Sequence, residues 1–172
     1  MVSADECFLF DIQGYLHLHG ALRQDEVSEL LRLVEENMGK DIATINEEPS
    51  HAAHQLNRPL SRMIDADVRF ARLLDHPAAA PYLAEFLGTD YRHIDNDLYF
   101  TYPGYAGGQW HRGVAAHPSE RTRITLIVNF GRADAGPWPG YTPRSETLAS
   151  VSERQRAILT PGSLVWHEPV LV

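Results

Sequence analysis

A change of hydrophobic period near Gly88 constrains this chain more than any other feature. Before Gly88 the apolar residues recur at helical spacing, and after it they alternate. Val27, Leu30, Leu31 and Val34 predict an amphipathic helix over 25–37. Asp25 and Glu26 stand in its first turn, where carboxylates favour the helix dipole. Val68, Phe70, Ala71 and Leu74 predict a second helix over 65–74. Asp75-His76-Pro77 ends it, because the residue before a proline avoids the helical region. A third helix is predicted over 79–86, stopping at Gly88. Ahead of these helices, residues 8–18 alternate imperfectly about Gly14, and Tyr15, Leu16 and Leu18 predict a short strand entering the core. Residues 39–57 are polar and broken by Pro49, and read as a long loop.

Beyond Gly88, residues 91–102 alternate, with Leu98, Phe100 and Tyr102 on one strand face and Asp97, Tyr99 and Thr101 on the other. A Gly-rich turn follows at 103–108. Residues 121–130 predict a second strand, with Ile124, Leu126 and Val128 opposite Thr125, Ile127 and Asn129. A Gly/Pro loop over 135–143 carries Trp138, and Pro161-Gly162 turns the chain into the apolar stretch 163–172. Helices followed by strands predict an α+β fold, with an antiparallel sheet or barrel backed by N-terminal helices. The length, 172 residues, suits one domain with a helical part over 1–88 and a β-rich core over 89–172.

Composition removes several function classes. Fifteen Lys and Arg against 23 Asp and Glu give a net charge of -8, the wrong sign for a protein that must displace counterions from nucleic acid. Cys7 is the single cysteine, so an internal disulfide and a Cys-based zinc site are excluded. No apolar run approaches a membrane span and the N-terminus lacks a signal-peptide pattern, so the expectation is a soluble, cytoplasmic protein. A phosphate loop, a Gly-x-Ser-x-Gly elbow and a basic partner beside Cys7 are all missing from the sequence.

Nine histidines are the compositional oddity, and only their spacing carries information. Gly107-Gly108-Gln109-Trp110-His111-Arg112-Gly113 follows a strand and turn, and Pro161-Gly162-Ser163-Leu164-Val165-Trp166-His167 again reads as a turn into a strand. Histidines at the ends of distant antiparallel strands can converge in a barrel mouth, and neutral imidazoles suit ferrous iron. Two unrelated core histidines are the simpler reading of spacing alone. His17 and His19 have a His-x-His spacing that puts both on one strand face, as a metal site could use, but a solvated edge strand explains them more simply. His51, His54 and His117 fall in loop segments.

Taken in order, these pieces resemble the phytanoyl-CoA dioxygenase family of Fe(II)- and 2-oxoglutarate-dependent oxygenases. Phe10-Asp11-Ile12-Gln13-Gly14-Tyr15-Leu16 and the helix from Asp25 are similar to the family's opening, and 99–104 leading into Trp110-His111 to its first-ligand strand. The stretch 123–130, Ala135-Gly136-Pro137-Trp138 and Tyr141-Thr142-Pro143-Arg144-Ser145 follow its middle, and Thr160-Pro161-Gly162-Ser163-Leu164-Val165-Trp166-His167 its late turn and strand. The resemblance implies a double-stranded β-helix (jelly roll) with N-terminal helices, and attack on an aliphatic C–H bond of a small-molecule or carrier-bound substrate. Fe(II) and 2-oxoglutarate are the implied cofactors. His111 is the implied iron ligand, with His167 the second histidine the chain offers. Asn96, Tyr99 and Tyr102 lie on the strand that lines the family's 2-oxoglutarate and substrate cavity.

Two departures qualify what the resemblance implies. The family's His-x-Asp motif reads His111-Arg112-Gly113 here, so the carboxylate ligand is absent. The family's distal histidine usually lies several residues past the position matched by His167, and its 2-oxoglutarate arginine later still, beyond Val172; the final strands are therefore expected to be missing. Three readings follow. In the first, Gly113 vacates a position that halide fills in an HxG-type halogenase; in the second, the site is impaired or inactive, with a metal-free small-molecule binding module as the non-enzyme form; in the third, His167 with Glu168 replaces the lost ligands. Adjacent strand residues face opposite ways, which disfavours the third. The impaired site accounts for both departures.

Overall fold

The structure is a computed structural model that describes residues 1–37, 60–101, 123–134 and 142–160. Helix and strand are mixed, as the α+β expectation requires. The chain opens with helix α1 (Ala4–Gln13) and continues into α2 (Gln24–Asn37). A two-residue strand β1 (Leu60–Ser61), helix α3 (Met63–Ala66), a 3-10 helix (Val68–Leu73) and α4 (Ala80–Leu87) follow. Strands β2 (Arg92–Thr101) and β3 (Arg123–Gly131) form an antiparallel pair, and helices α5 (Ser145–Ser150) and α6 (Glu153–Leu159) close the described part.

The sheet has the order β1-β2-β3 with every pair antiparallel. Leu98 stands opposite Leu126, Asn96 opposite Val128 and His93 opposite Phe130. Between His93 and Asp95 the register slips, so Ile94 is the extra residue of a β-bulge. The bulge has a packing purpose. Tyr91 and His93 occupy odd positions and Asn96 and Leu98 even ones, yet all four are buried. An unbroken strand would send the two pairs to opposite faces.

The buried face of the sheet meets Leu33, Met63, Ile64, Phe70 and Leu74, each with no exposed surface. Polar contacts pin the helices around this centre. Asp65 Oδ1 accepts from the Thr147 hydroxyl at 2.7 Å and from the Arg144 backbone N–H at 3.0 Å, tying α5 to α3. The Gln155 side-chain amide donates to Asp75 at 2.9 Å. Arg92 NH1 donates to the carbonyls of Ala157 and Thr160, both at 2.7 Å, and so satisfies the otherwise orphaned end of α6. Along α2, Glu26, Glu29 and Glu36 meet His76, Arg72 and Arg69 across the interface.

Several sequence expectations need correction. The short strand predicted at Tyr15, Leu16 and Leu18 does not form, and the imperfectly alternating stretch ahead of Gly14 belongs to helix α1. Ser3 accepts from the Glu6 backbone N–H while the Glu6 carboxylate accepts from the Ser3 backbone, a complete capping box, and Gly14 ends the helix in the left-handed region at φ 76°. The predicted helix over 65–74 is two shorter pieces. Asp67 leaves the helical region at φ -151° and its carboxylate caps the following turn through the Arg69 N–H. The region 89–172 is not β throughout, because α5 and α6 lie within it; Ser152 and Gln155 form a second capping box that starts α6. The predicted α2 holds, but Leu33 replaces Leu31 on its inner face, and Leu31 is exposed. The expected loop 39–57 and strand 163–172 lie outside the described residues.

Helix α1 buries no residue and leans on α4 through the Phe10–Phe86 ring stack, at 4.0 Å between centroids, and through the Tyr82 hydroxyl donating to Glu6 at 2.6 Å. Its end is therefore a local unit. Ser3→Ala removes the cap at a cost of about 1 kcal/mol. Hydrogen exchange should then accelerate over residues 4–13 while the global unfolding midpoint moves little.

Candidate functional site

The β2–β3 pair presents two chemically different faces. On the helix side, Asn96 is fully buried and its amide bridges two elements. Asn96 Oδ1 accepts from the Ile64 backbone N–H at 2.9 Å, and the Asn96 backbone carbonyl accepts from the Arg62 N–H at 2.8 Å. Ile64 is the second residue of α3, whose N-cap Arg62 is left-handed at φ 56° and gives no side-chain cap bond. A strand side chain thus supplies the cap that the helix's own N-terminus lacks.

The amide's other end is set by the same constraint. With Oδ1 accepting from Ile64, Asn96 Nδ2 donates to His93 Nε2 at 3.0 Å, and the His93 proton resides on Nδ1. His93 is 4% exposed, and burial pushes its imidazole down to about 4; the hydrogen bond with the Asp95 backbone opposes the shift. Protonation would turn Nε2 into a donor facing the Asn96 donor, so the buried ring stays neutral.

The opposite face carries Asp95, Asp97 and Tyr99, paired across the strands with Asn129, Ile127 and Thr125. Asp97 is 5% exposed, and the Tyr99 hydroxyl donates to its Oδ2 at 3.4 Å. A buried carboxylate and a phenol on one sheet face form a surface able to orient a ligand by hydrogen bonds. This face points away from α3 and the α2 contacts that occupy the Asn96 side.

Asn96 and Tyr99, both expected on the strand that lines the family's cavity, stand on opposite faces of it. The Asn96 amide is engaged in holding α3, and Tyr99 belongs to the Asp97 face. Tyr102, His111 and His167 lie outside the described residues. In His111-Arg112-Gly113 the third position is glycine and offers no side-chain donor. Among the described residues no group of three or more His, Cys, Asp or Glu is arranged to hold a metal ion. No described helix is long and apolar enough to cross a membrane. His93 entered the sequence reading only as one of nine histidines. No sequence pattern marked it, because the switch from odd to even buried positions along β2 comes from the bulge.

Comparison with protein-family models, with curated proteins and with solved structures found no match.

The Asn96 node predicts two measurable effects. Asn96→Leu leaves the Ile64 N–H and His93 Nε2 without partners and should lower stability by about 2–3 kcal/mol in denaturant titration. The pH effect has a definite sign. The unfolded imidazole takes up a proton near its ordinary value of 6.5, while the folded one waits until about 4. The unfolded state therefore binds more protons between these values. Stability from His93 is complete above pH 6.5 and should fall by roughly 3 kcal/mol on acidification to pH 4. In His93→Gln that part of the pH slope should disappear.

Proposed function

We propose that this chain is a phytanoyl-CoA dioxygenase-like domain on a jelly-roll scaffold whose Fe(II) and 2-oxoglutarate chemistry is impaired. The observation that carries this reading is Gly113. The ordered similarity to the family runs through Trp110-His111 and then meets a residue with no ligating atom where the carboxylate belongs. Metal affinity depends on assembling the whole ligand set, and one or two imidazoles hold Fe(II) poorly against water.

The arrangement of the described elements is compatible with that scaffold. The long strand β2 leads toward the segment that carries His111, β3 returns beside it, and the N-terminal helices share one core with the Leu98 side of the sheet. Tyr99 and the buried Asp97 on the other face would then contribute to the ligand side, where they orient a small molecule or a carrier-bound acyl group by hydrogen bonding. Asn96 supports this wall from behind through α3 and is not assigned to ligand contact. Iron and 2-oxoglutarate, where bound in the family, supply oxidation of an aliphatic C–H bond; no step is assigned to them here.

Gly113 also favours a second reading, an HxG-type halogenase, in which halide takes the place of the carboxylate. The two readings differ in what they require of chloride.

Anaerobic titration calorimetry with Fe(II), with and without 2-oxoglutarate, tests the proposal on the folded 172-residue chain. The expected result is weak binding with no enhancement by 2-oxoglutarate and no consumption of it. Binding near one iron per chain that 2-oxoglutarate tightens and His111→Ala abolishes would overturn the impaired site. Turnover that then depends on chloride would establish the halogenase reading.

A further inference from the structure

Between Gly14 and Gly20 the chain runs without strand partners, yet its side chains alternate. Tyr15, His17 and His19 are exposed, whereas Leu16 and Leu18 are half-buried. Period-two alternation places residues 17 and 19 on the same side of an extended backbone. The two imidazoles are in contact there, with ring centroids 3.7 Å apart and planes inclined at 34°.

We propose that His17 and His19 form a two-imidazole chelate for a divalent transition metal. The two rings are close enough to share one ion. Metal–nitrogen bonds of about 2.0–2.1 Å put two nitrogens on one tetrahedral ion roughly 3.3 Å apart. With centroids 3.7 Å apart and planes inclined at 34°, a chelate requires the side chains to rotate until one nitrogen of each ring faces the ion. The backbone between them is held at both ends. Gln13 Nε2 donates to the Tyr15 carbonyl at 2.8 Å, and the Ala21 N–H donates to the Leu18 carbonyl at 3.3 Å. Leu16 and Leu18 turn inward and fix which side the histidines occupy.

The chemistry of the pair selects the metal. Imidazole nitrogens bind first-row divalent ions in an order that peaks at copper, so Cu2+ ranks above Ni2+ and Zn2+. Both rings are exposed, and no third His, Cys, Asp or Glu completes a cluster among the described residues. The site therefore keeps open positions for water or an incoming ligand and binds at the surface. It does not depend on the oxygenase reading and uses none of that reading's residues.

Copper(II) iminodiacetate is the probe that tests it, because the chelator occupies three positions and leaves room for two imidazoles side by side. Calorimetry of the 172-residue chain should show one complex bound per chain at this pair, and electron paramagnetic resonance should show two coordinated protein nitrogens. His17→Ala and His19→Ala should each weaken binding at least tenfold and reduce the pattern to one nitrogen. Both rings are exposed, so circular dichroism of the variants should match the parent. His111→Ala should leave the titration unchanged. Parent-like affinity in either His17→Ala or His19→Ala would overturn the proposal. So would a one-nitrogen pattern in the parent, or loss of the two-nitrogen pattern on replacing His51 and His54 instead.

Discussion

The capture of the α3 N-terminus by Asn96 is the constraint on which the rest of the structure depends. Helix α3 has only four residues and a left-handed N-cap without a side-chain bond, so it has little reason to form alone. The Asn96 side chain and backbone carbonyl accept from Ile64 and Arg62 and hold that turn against β2. Met63 and Ile64 are then fully buried, and the following 3-10 helix delivers Phe70 and Ala71 to the same core. Other contacts build outward from this segment. Asp65 receives α5, Asp75 receives α6, and Asp67 binds both Arg69 and the buried Asn37 of α2.

Placing a polar side chain at the centre of a core is costly unless its hydrogen-bonding groups are used. Asn96 meets that condition by bonding Ile64 of α3 and His93 of β2, and the price appears at His93, whose ring must remain neutral to accept from it. The Ile94 bulge makes the arrangement possible by bringing His93 and Asn96 to one face. The same geometry divides the sheet. Its helix side is filled with packing residues and its polar atoms are engaged. Asp97 and Tyr99 lie on the other side, joined by a hydrogen bond.

Some of this was legible from residue order. The amphipathic period of α2, the stop of α4 at Gly88 and the alternation of β2 and β3 are local patterns, and they appear in the structure close to their predicted bounds. Helices α1 and α6 were equally local and were missed: Ser3-x-x-Glu6 and Ser152-x-x-Gln155 are capping boxes written in the sequence, but mixed apolar residues beside them hid the helical period. The split at Asp67 was hidden for a different reason. An aspartate inside an apolar period looks helical until its side chain turns back to cap the next N–H.

The candidate site was legible only as residue types. Gly113, on which the proposed impairment rests, was visible in the sequence, since no fold can give glycine a carboxylate. His17 and His19 were likewise visible as a spaced pair. Residue order determined these donor inventories, the acidic balance and the periods of the main elements, because each depends on composition or near neighbours. Tertiary structure decided that Asn96 faces α3 while Tyr99 faces Asp97, that His93 is buried and neutral, and that His17 and His19 touch. The first two outcomes depend on a one-residue bulge and on partners about thirty positions away in the chain, as with Ile64 and Asn96. Local pattern cannot rank such distant contacts, since their free energy exists only once the core has closed.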